Sequence, residues 1–503
     1  MRYIHSYMAK RGVSLSRNGV IMKMRASPLL SGVVGIAFAS GALFATGAGA
    51  ADLPTKKEAA APAHGPAACT DPITFVTTDC PLSWYGVTVY GALDMGVGWE
   101  SHGAALNPGL ISGVAELIGK NGNKAMWLAT PGGLSQSFIG VHVKEDIAPS
   151  WSLIADYSFG FDPYTLSAAN GPESFYLNNG KPLAAQSAVG DSSRAGQFYN
   201  GTLYAGVSNP VYGTLTFGRQ NSLTLDGVIA YDPMGASFAY SVIGWSGQTA
   251  GVGNTEDARM TTSVKYRNQI GNYRIGAVAQ IGGYDLNNGA QAEFEGQLGA
   301  DFDLGGYGRL STDAIYGYDK GAVASGPLTA AQNALFPGTL AATISDDDGV
   351  MLLAKWTKDQ FVVSGGWELI ASRNPSSPQL GSFTDIGGYT VAAAVVNNTA
   401  FPNTRYLQSM WIGGRYNISP TVNTGIAYYH YYQNSYGVKS CANSSAATCS
   451  GTLDGYSWDI DWQFAKKFDV YAGVFFNEVY NGLSAGYLHG EDLAPTAGLR
   501  FRF

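Results

Sequence analysis

Between Tyr456 and Phe464 the chain reads Tyr-Ser-Trp-Asp-Ile-Asp-Trp-Gln-Phe. As a strand, this places Tyr456, Trp458, Ile460, Trp462 and Phe464 on one face and Ser457, Asp459, Asp461 and Gln463 on the other. Comparable segments occur sixteen times, near 85–99, 135–144, 151–161, 199–208, 213–220, 259–267, 273–284, 292–304, 309–319, 349–357, 361–371, 405–417, 421–433, 454–464, 468–477 and 492–503. Most have about the 9–11 residues a tilted strand needs to cross a bilayer. Beyond residue 50 the chain has no apolar run of the roughly 18 residues required by a spanning helix.

One alternating strand fits two environments. A soluble sandwich turns its large residues inward, whereas a membrane barrel turns them to lipid and its carboxylates to a wet lumen. The connections decide between them. Short links (209–212, 268–272, 305–308, 358–360, 419–420) alternate with long ones (100–134, 162–198, 221–258, 320–348, 372–404, 434–453). Short turns on one side and long loops on the other characterise a barrel of the bacterial outer membrane. Lipid cannot satisfy an open strand edge, so the sheet must close. An even strand number returns both ends to one side. The low charge, 13% of residues, and the 66 glycines and 30 tyrosines suit such a chain.

The N-terminus specifies export. Lys23 and Arg25 precede an apolar run from Pro28 to Phe44 that ends in Ala48-Gly49-Ala50, the layout of a signal peptide over 1–50. Residues 1–21 fit neither part, and a start at Met22 or Met24 accounts for them. Removing 1–50 takes away six basic residues and no acid, leaving 24 basic against 37 acidic and a net charge of −13. That sign argues against nucleic acid as a partner and for a mild cation preference in a pore. Residues 51–83 form an Ala/Pro-rich periplasmic lead-in, with 51–68 lacking any apolar period, and the barrel is expected over 84–503. The four cysteines permit three pairings; two local disulfides, Cys69–Cys80 and Cys441–Cys449, are the expected one. A metal site is the weaker alternative, since neither pair has a nearby His or further Cys. Neither a metal nor a cofactor is expected.

Several stretches resemble the general Gram-negative porins, of the alpha-proteobacterial type. Val87 to Asp94 looks like that family's first strand, and Gly140 to Ile147, with Lys144-Glu145-Asp146-Ile147, like its second strand and turn. Tyr204 to Val207, then Gly213 to Gln220 ending Gly-Arg-Gln, resemble the fourth and fifth, and Arg259 to Tyr266 the sixth. Ala497 to Phe503 resembles the final strand with its terminal Phe. The resemblance implies a 16-stranded antiparallel transmembrane β-barrel, a homotrimer in outer-membrane lipid and lipopolysaccharide, and a third loop, 221–258, folded into the lumen as a constriction. It also implies that the barrel-assembly machinery reads Phe503.

The family pattern places acids on that loop against a basic wall. Asp226 and Asp232 are the loop candidates, with Glu256 and Asp257 near its return. Parity puts Met260, Thr262, Val264 and Tyr266 toward lipid and Arg259, Thr261, Ser263 and Lys265 inside. On the second strand it puts His142 and Lys144 inside. Phe138 stands where the family often has Arg, which departs from a full arginine ladder. Arg219 falls on the lipid side with Leu215 and Phe217, so either it faces a neighbouring subunit or a bulge turns it inward. Asp346-Asp347-Asp348, expected on an external loop, reads as a solvated acidic turn or a divalent-ion contact beside lipopolysaccharide.

The function implied is passive diffusion of small hydrophilic solutes and ions, not enzymatic. A substrate-selective facilitator on the same fold remains the alternative, and an exported adhesin or barrel enzyme the reading from another class. The histidines and serines show no nucleophile–base spacing. A plugged, energy-coupled transporter would need over a hundred residues before the barrel.

Overall fold

The computed structural model describes residues 68–102, 124–130, 132–168, 173–186, 201–243, 259–281, 292–384, 388–438, 441–442, 447–484 and 488–503. The signal-peptide reading over 1–50 and the lead-in as far as residue 67 lie outside them. Sixteen strands form the wall: β1 Val87–Glu100, β2 Phe138–Ala148, β3 Trp151–Gly160, β4 Leu203–Asn209, β5 Gly213–Asn221, β6 Arg259–Ile270, β7 Tyr273–Ile281 and β8 Ala292–Asp303. They continue with β9 Arg309–Gly326, β10 Leu340–Lys358, β11 Phe361–Arg373, β12 Arg405–Ser419, β13 Val422–Gln433, β14 Gly451–Ala465, β15 Phe468–Asn481 and β16 Glu491–Arg502. Each pairs antiparallel with the next. β16 returns to β1, from Ala92 opposite Arg502 to Gly98 opposite Thr496, and closes the barrel.

The faces settle which environment the alternation serves. On β14 Trp462 is 51% exposed and Asp459 1% exposed. Leu93, Met95 and Val97 on β1 and Leu352 on β10 also face outward. Large apolar side chains outside and polar ones inside are the arrangement of a lipid-embedded barrel. The turns on one side span two to five residues, and those on the other run from nine residues to about forty.

Two local departures from strict alternation matter. The β5–β6 register slips between Gly218 and Gln220, and Thr262 opposite has a φ of 43°. Gly218 supplies the φ of 127° that this bulge needs, and a Cβ there would lie 2.3 Å from the Leu203 carbonyl oxygen. The bulge reverses the phase of β6 above it. Met260, expected toward lipid, is therefore fully buried inside, while Val264 stays outside and Ser263 and Lys265 inside. Arg259, next to Met260, stands opposite Asn221 in the ladder and is half-buried.

The second departure concerns Asp346, Asp347 and Asp348, which belong to β10 and not to a loop. Asp346 accepts from the Gly321 and Ser376 amides, and Asp348 pairs with Arg373. Contacts with Gly321 on β9, Arg373 at the end of β11 and Ser376 beyond it hold this acidic run. The cysteines join as Cys69–Cys80 and Cys441–Cys449.

Candidate pore constriction

After β5 the chain enters the barrel. Ser222 caps a helix, Leu223–Tyr231, by accepting from the Leu225 amide at 3.0 Å. Leu223, Leu225, Val228 and Tyr231 are all buried, so this helix has no wet face comparable to that of a surface helix. It lies against the inner wall. Gly227 sits flush there: a Cβ would come 2.8 Å from Leu353 Cδ1 and 2.9 Å from Ile315 Cδ1. A Gly227→Val variant should therefore push the helix off the wall, at a cost of about 1–3 kcal/mol for overpacking. Single-channel conductance should fall while membrane levels stay near normal; unchanged conductance would refute this packing.

Polar contacts fix both helix ends. Glu295 on β8 accepts from the Leu223 amide and, at 2.7 Å, from the Thr224 hydroxyl, a carboxylate placed at the positive end of the helix. At the other end the Tyr231 hydroxyl donates to Asp313 on β9, and Lys355 Nζ on β10 donates to the Ala230 carbonyl at 2.9 Å. Asp232 accepts from the Tyr429 hydroxyl at 2.7 Å and from the Ala236 amide at 2.6 Å. Arg415 on β12 reaches the Pro233 carbonyl and Asp459. Farther on, Tyr240 donates to the Thr496 carbonyl at 2.7 Å and accepts at its own carbonyl from Ser457. Residues 222–243 thus make contacts from β6 round to β16. Their side chains form one apolar cluster with Val278, Met351, Trp411, Phe475 and others of the wall.

The charge pattern is concentrated below the helix. Asp226 stands 2.6 Å from Lys265 Nζ and 2.5 Å from Arg267 Nη2. Burial raises its carboxyl, but the two cations outweigh that and hold it at about 2. Asp232 shifts the other way: burial raises it against the hydrogen bond from Tyr429. Basic side chains continue round the wall. Arg274 pairs with Asp301 and Asp313, Arg309 with Asp301, and Arg415 with Asp459. Arg309 is 62% and Arg267 38% exposed at the side chain, whereas Asp313 and Asp459 are buried. The lumen therefore meets the cations of these pairs more than their anions.

Of the residues expected here, the structure brings Asp226 and Lys265 into contact and places Asp232 on the same loop. It ties both acids to nearby groups and does not aim them across open water. His142 lies 3.6 Å from Asp156, and Lys144 is exposed near the turn after β2; neither pairs with 222–243 among the described residues. Glu256 and Asp257 lie outside the described residues. Arg219 is buried, with Nε donating to the Gly201 carbonyl at 3.0 Å beside the bulge. The sequence pattern does not single out Arg267, Arg274, Arg309, Lys355 or Arg415. Arg267 was within reach, since it shares parity with Lys265.

The family profile described as Gram-negative porin matches residues 37–479. The anion-selective porin from Comamonas acidovorans superposes with a TM-score of 0.53 at 13% identity, covering 83% of this chain and 99% of that one. Outer-membrane expressed OmpT of Vibrio cholerae gives a TM-score of 0.50 at 13% identity, covering 84% and 100%. The trimer form of in-vitro folded OmpT from Vibrio cholerae gives 0.50 at 13%, covering 83% and 99%. At such identities the likeness speaks for the fold. No curated protein sequence matches.

Proposed function

The chain belongs to the Gram-negative porin family, and from that premise we propose how this outer-membrane channel selects what it passes. It is a porin, and solutes small and polar enough to cross its lumen diffuse passively. The constriction in this reading lies between residues 222–243 and the wall facing them. The observation that carries it is the docking of Asp226 between Lys265 and Arg267, which fixes the loop inside the lumen and leaves Arg267 and Arg309 facing water.

Selectivity follows the charges nearest the permeating ion, not the charge of the whole chain. Glu293, Glu295, Asp319, Asp347 and Glu368, which contribute to the acidic balance, are buried. The exposed basic side chains below the loop favour anions, and we revise the cation preference expected from the net charge to a weak anion preference. Reversal potentials across a planar bilayer in a salt gradient test this. Potentials of the anion sign support it, and cation selectivity refutes it. A homotrimer in contact with lipid and lipopolysaccharide, and the absence of enzymatic activity, belong to the same proposal; the trimer form of the similar OmpT supports the former.

A further inference from the structure

β16 pairs β1 from Ala92 to Gly98, and Phe503 exchanges two backbone hydrogen bonds with Gly91, at 2.9 and 3.0 Å. Below Gly91 the terminal strand has ended, yet β1 continues down to Val87. Its β2 side is covered there, with Val87 to Ala92 opposite Val143 to Phe138. Its other side would be an open edge, a costly feature at the closing seam of a barrel.

The chain covers this edge with its own N-terminal segment. Strand Leu82–Trp84 pairs with Val89, Thr88 and Val87, in line beneath Phe503. Tyr85 and Gly86, with φ of 47° and 78°, form the tight turn that this hairpin requires. A Cβ at Gly86 would lie 2.5 Å from the Lys144 carbonyl oxygen.

The preceding residues fold back over the end of β16. The Cys69–Cys80 disulfide closes a loop around the short helix Pro72–Thr77, whose start Asp71 caps through the Ile73 and Thr74 amides. From that helix Phe75 packs edge-on against Phe501 and Phe503, with ring centroids 6.0 and 6.2 Å apart. Lys467, in the turn between β14 and β15, places Nζ 4.6 Å from the Phe75 ring centroid and donates to the Cys80 carbonyl at 3.0 Å. Lys466 pairs with Asp79 at 3.3 Å.

We propose that residues 69–84 are a disulfide-closed strap that locks the β1–β16 seam, so that reducing Cys69–Cys80 loosens that seam selectively. The disulfide holds the Phe75 helix and the Leu82–Trp84 strand at a fixed spacing, so one contact cannot be lost without straining the other. Opening the loop separates them. This goes beyond the channel assignment and does not depend on it.

The test uses folded full-length protein carrying Cys441→Ser and Cys449→Ser, which leaves the strap disulfide alone. The protein is reduced in place, two free thiols are counted by labelling, and amide exchange is compared by mass spectrometry. Exchange in 87–98 and 494–503 should accelerate about tenfold or more, with β9 to β11 unaffected. Phe75→Ala in the oxidised protein should act in the same direction. If the disulfide resists reductant, the folded protein with Cys69→Ser and Cys80→Ser replaces the reduced form. Equal exchange at the seam in both forms, or acceleration spread evenly over the barrel, overturns the proposal.

Discussion

Replacing Asp226 with alanine should release the loop helix from the wall and make the channel markedly more anion-selective. The carboxylate is the sole acid that the described structure places against both Lys265 and Arg267. Removing one member of a buried pair leaves uncompensated charge, which costs about 3–5 kcal/mol. Because Arg267 is open to the lumen, its share is screened, and about 3 kcal/mol of lost docking is the fitting figure. The loop should then sample undocked positions, seen as noisier and larger single-channel currents. Asp226→Asn separates the two effects: it keeps the shape, removes the charge, and should show the selectivity change with less added noise.

The same carboxyl sets a pH window. Its docked pKa of about 2 lies below the ordinary value of about 3.9. A depressed carboxyl contributes stability that is complete above the ordinary value and disappears as pH falls through the docked one. Docking should therefore hold from neutral pH down to about 4 and weaken toward 2. Asp226→Asn should lack this transition. Wild-type currents that loosen already at pH 5 would contradict the assignment to Asp226.

The second large effect is expected from deleting Phe503. Two backbone bonds to Gly91 and the ring contacts with Phe501 and Phe75 would be lost together. The ring lies over Gly91, where an added Cβ would come 2.8 Å from Phe503 Cζ. Bonds worth about 1 kcal/mol each and partial loss of an aromatic burial worth about 1.5–3 kcal/mol suffice to lower abundance several-fold. If the assembly machinery also reads this residue, as proposed from the family resemblance, the fall should exceed what stability explains. Folded protein in the outer membrane, separated from unfolded chain by its migration without heating, measures it. The molecules that do insert should conduct normally. Normal membrane levels would count against both arguments.

Much of the wall could be read in the sequence because a strand's two faces are a local property. Tyr456 to Phe464 shows its outward set without knowledge of any partner, and five of the seven short turns are marked equally locally. Phase failed at the bulge, where Gly218 and Thr262 shift Met260 inward; one extra residue in a ladder leaves no trace in composition. Length failed at Asp346 to Asp348, because three adjacent acids look solvated unless Arg373 and the Gly321 amide are known to face them. The constriction was legible as a loop position and one pair, Asp226 and Lys265. Its other anchors were not: Glu295, Asp313 and Tyr429 lie 72, 82 and 197 residues from their partners. The strap escaped for a related reason, since an Ala/Pro-rich lead-in gives no sign that residues 69–84 will cover the far end of the chain.

A water-filled lumen narrowed by an internally docked loop should leave its mark on the currents this barrel carries. Single-channel recording of the purified protein in a planar bilayer tests it most directly. Discrete ohmic steps are expected, grouped in threes for a trimer, growing larger and noisier in Asp226→Ala. A folded, membrane-inserted protein that stays electrically silent, or steps that ignore Asp226, would contradict it.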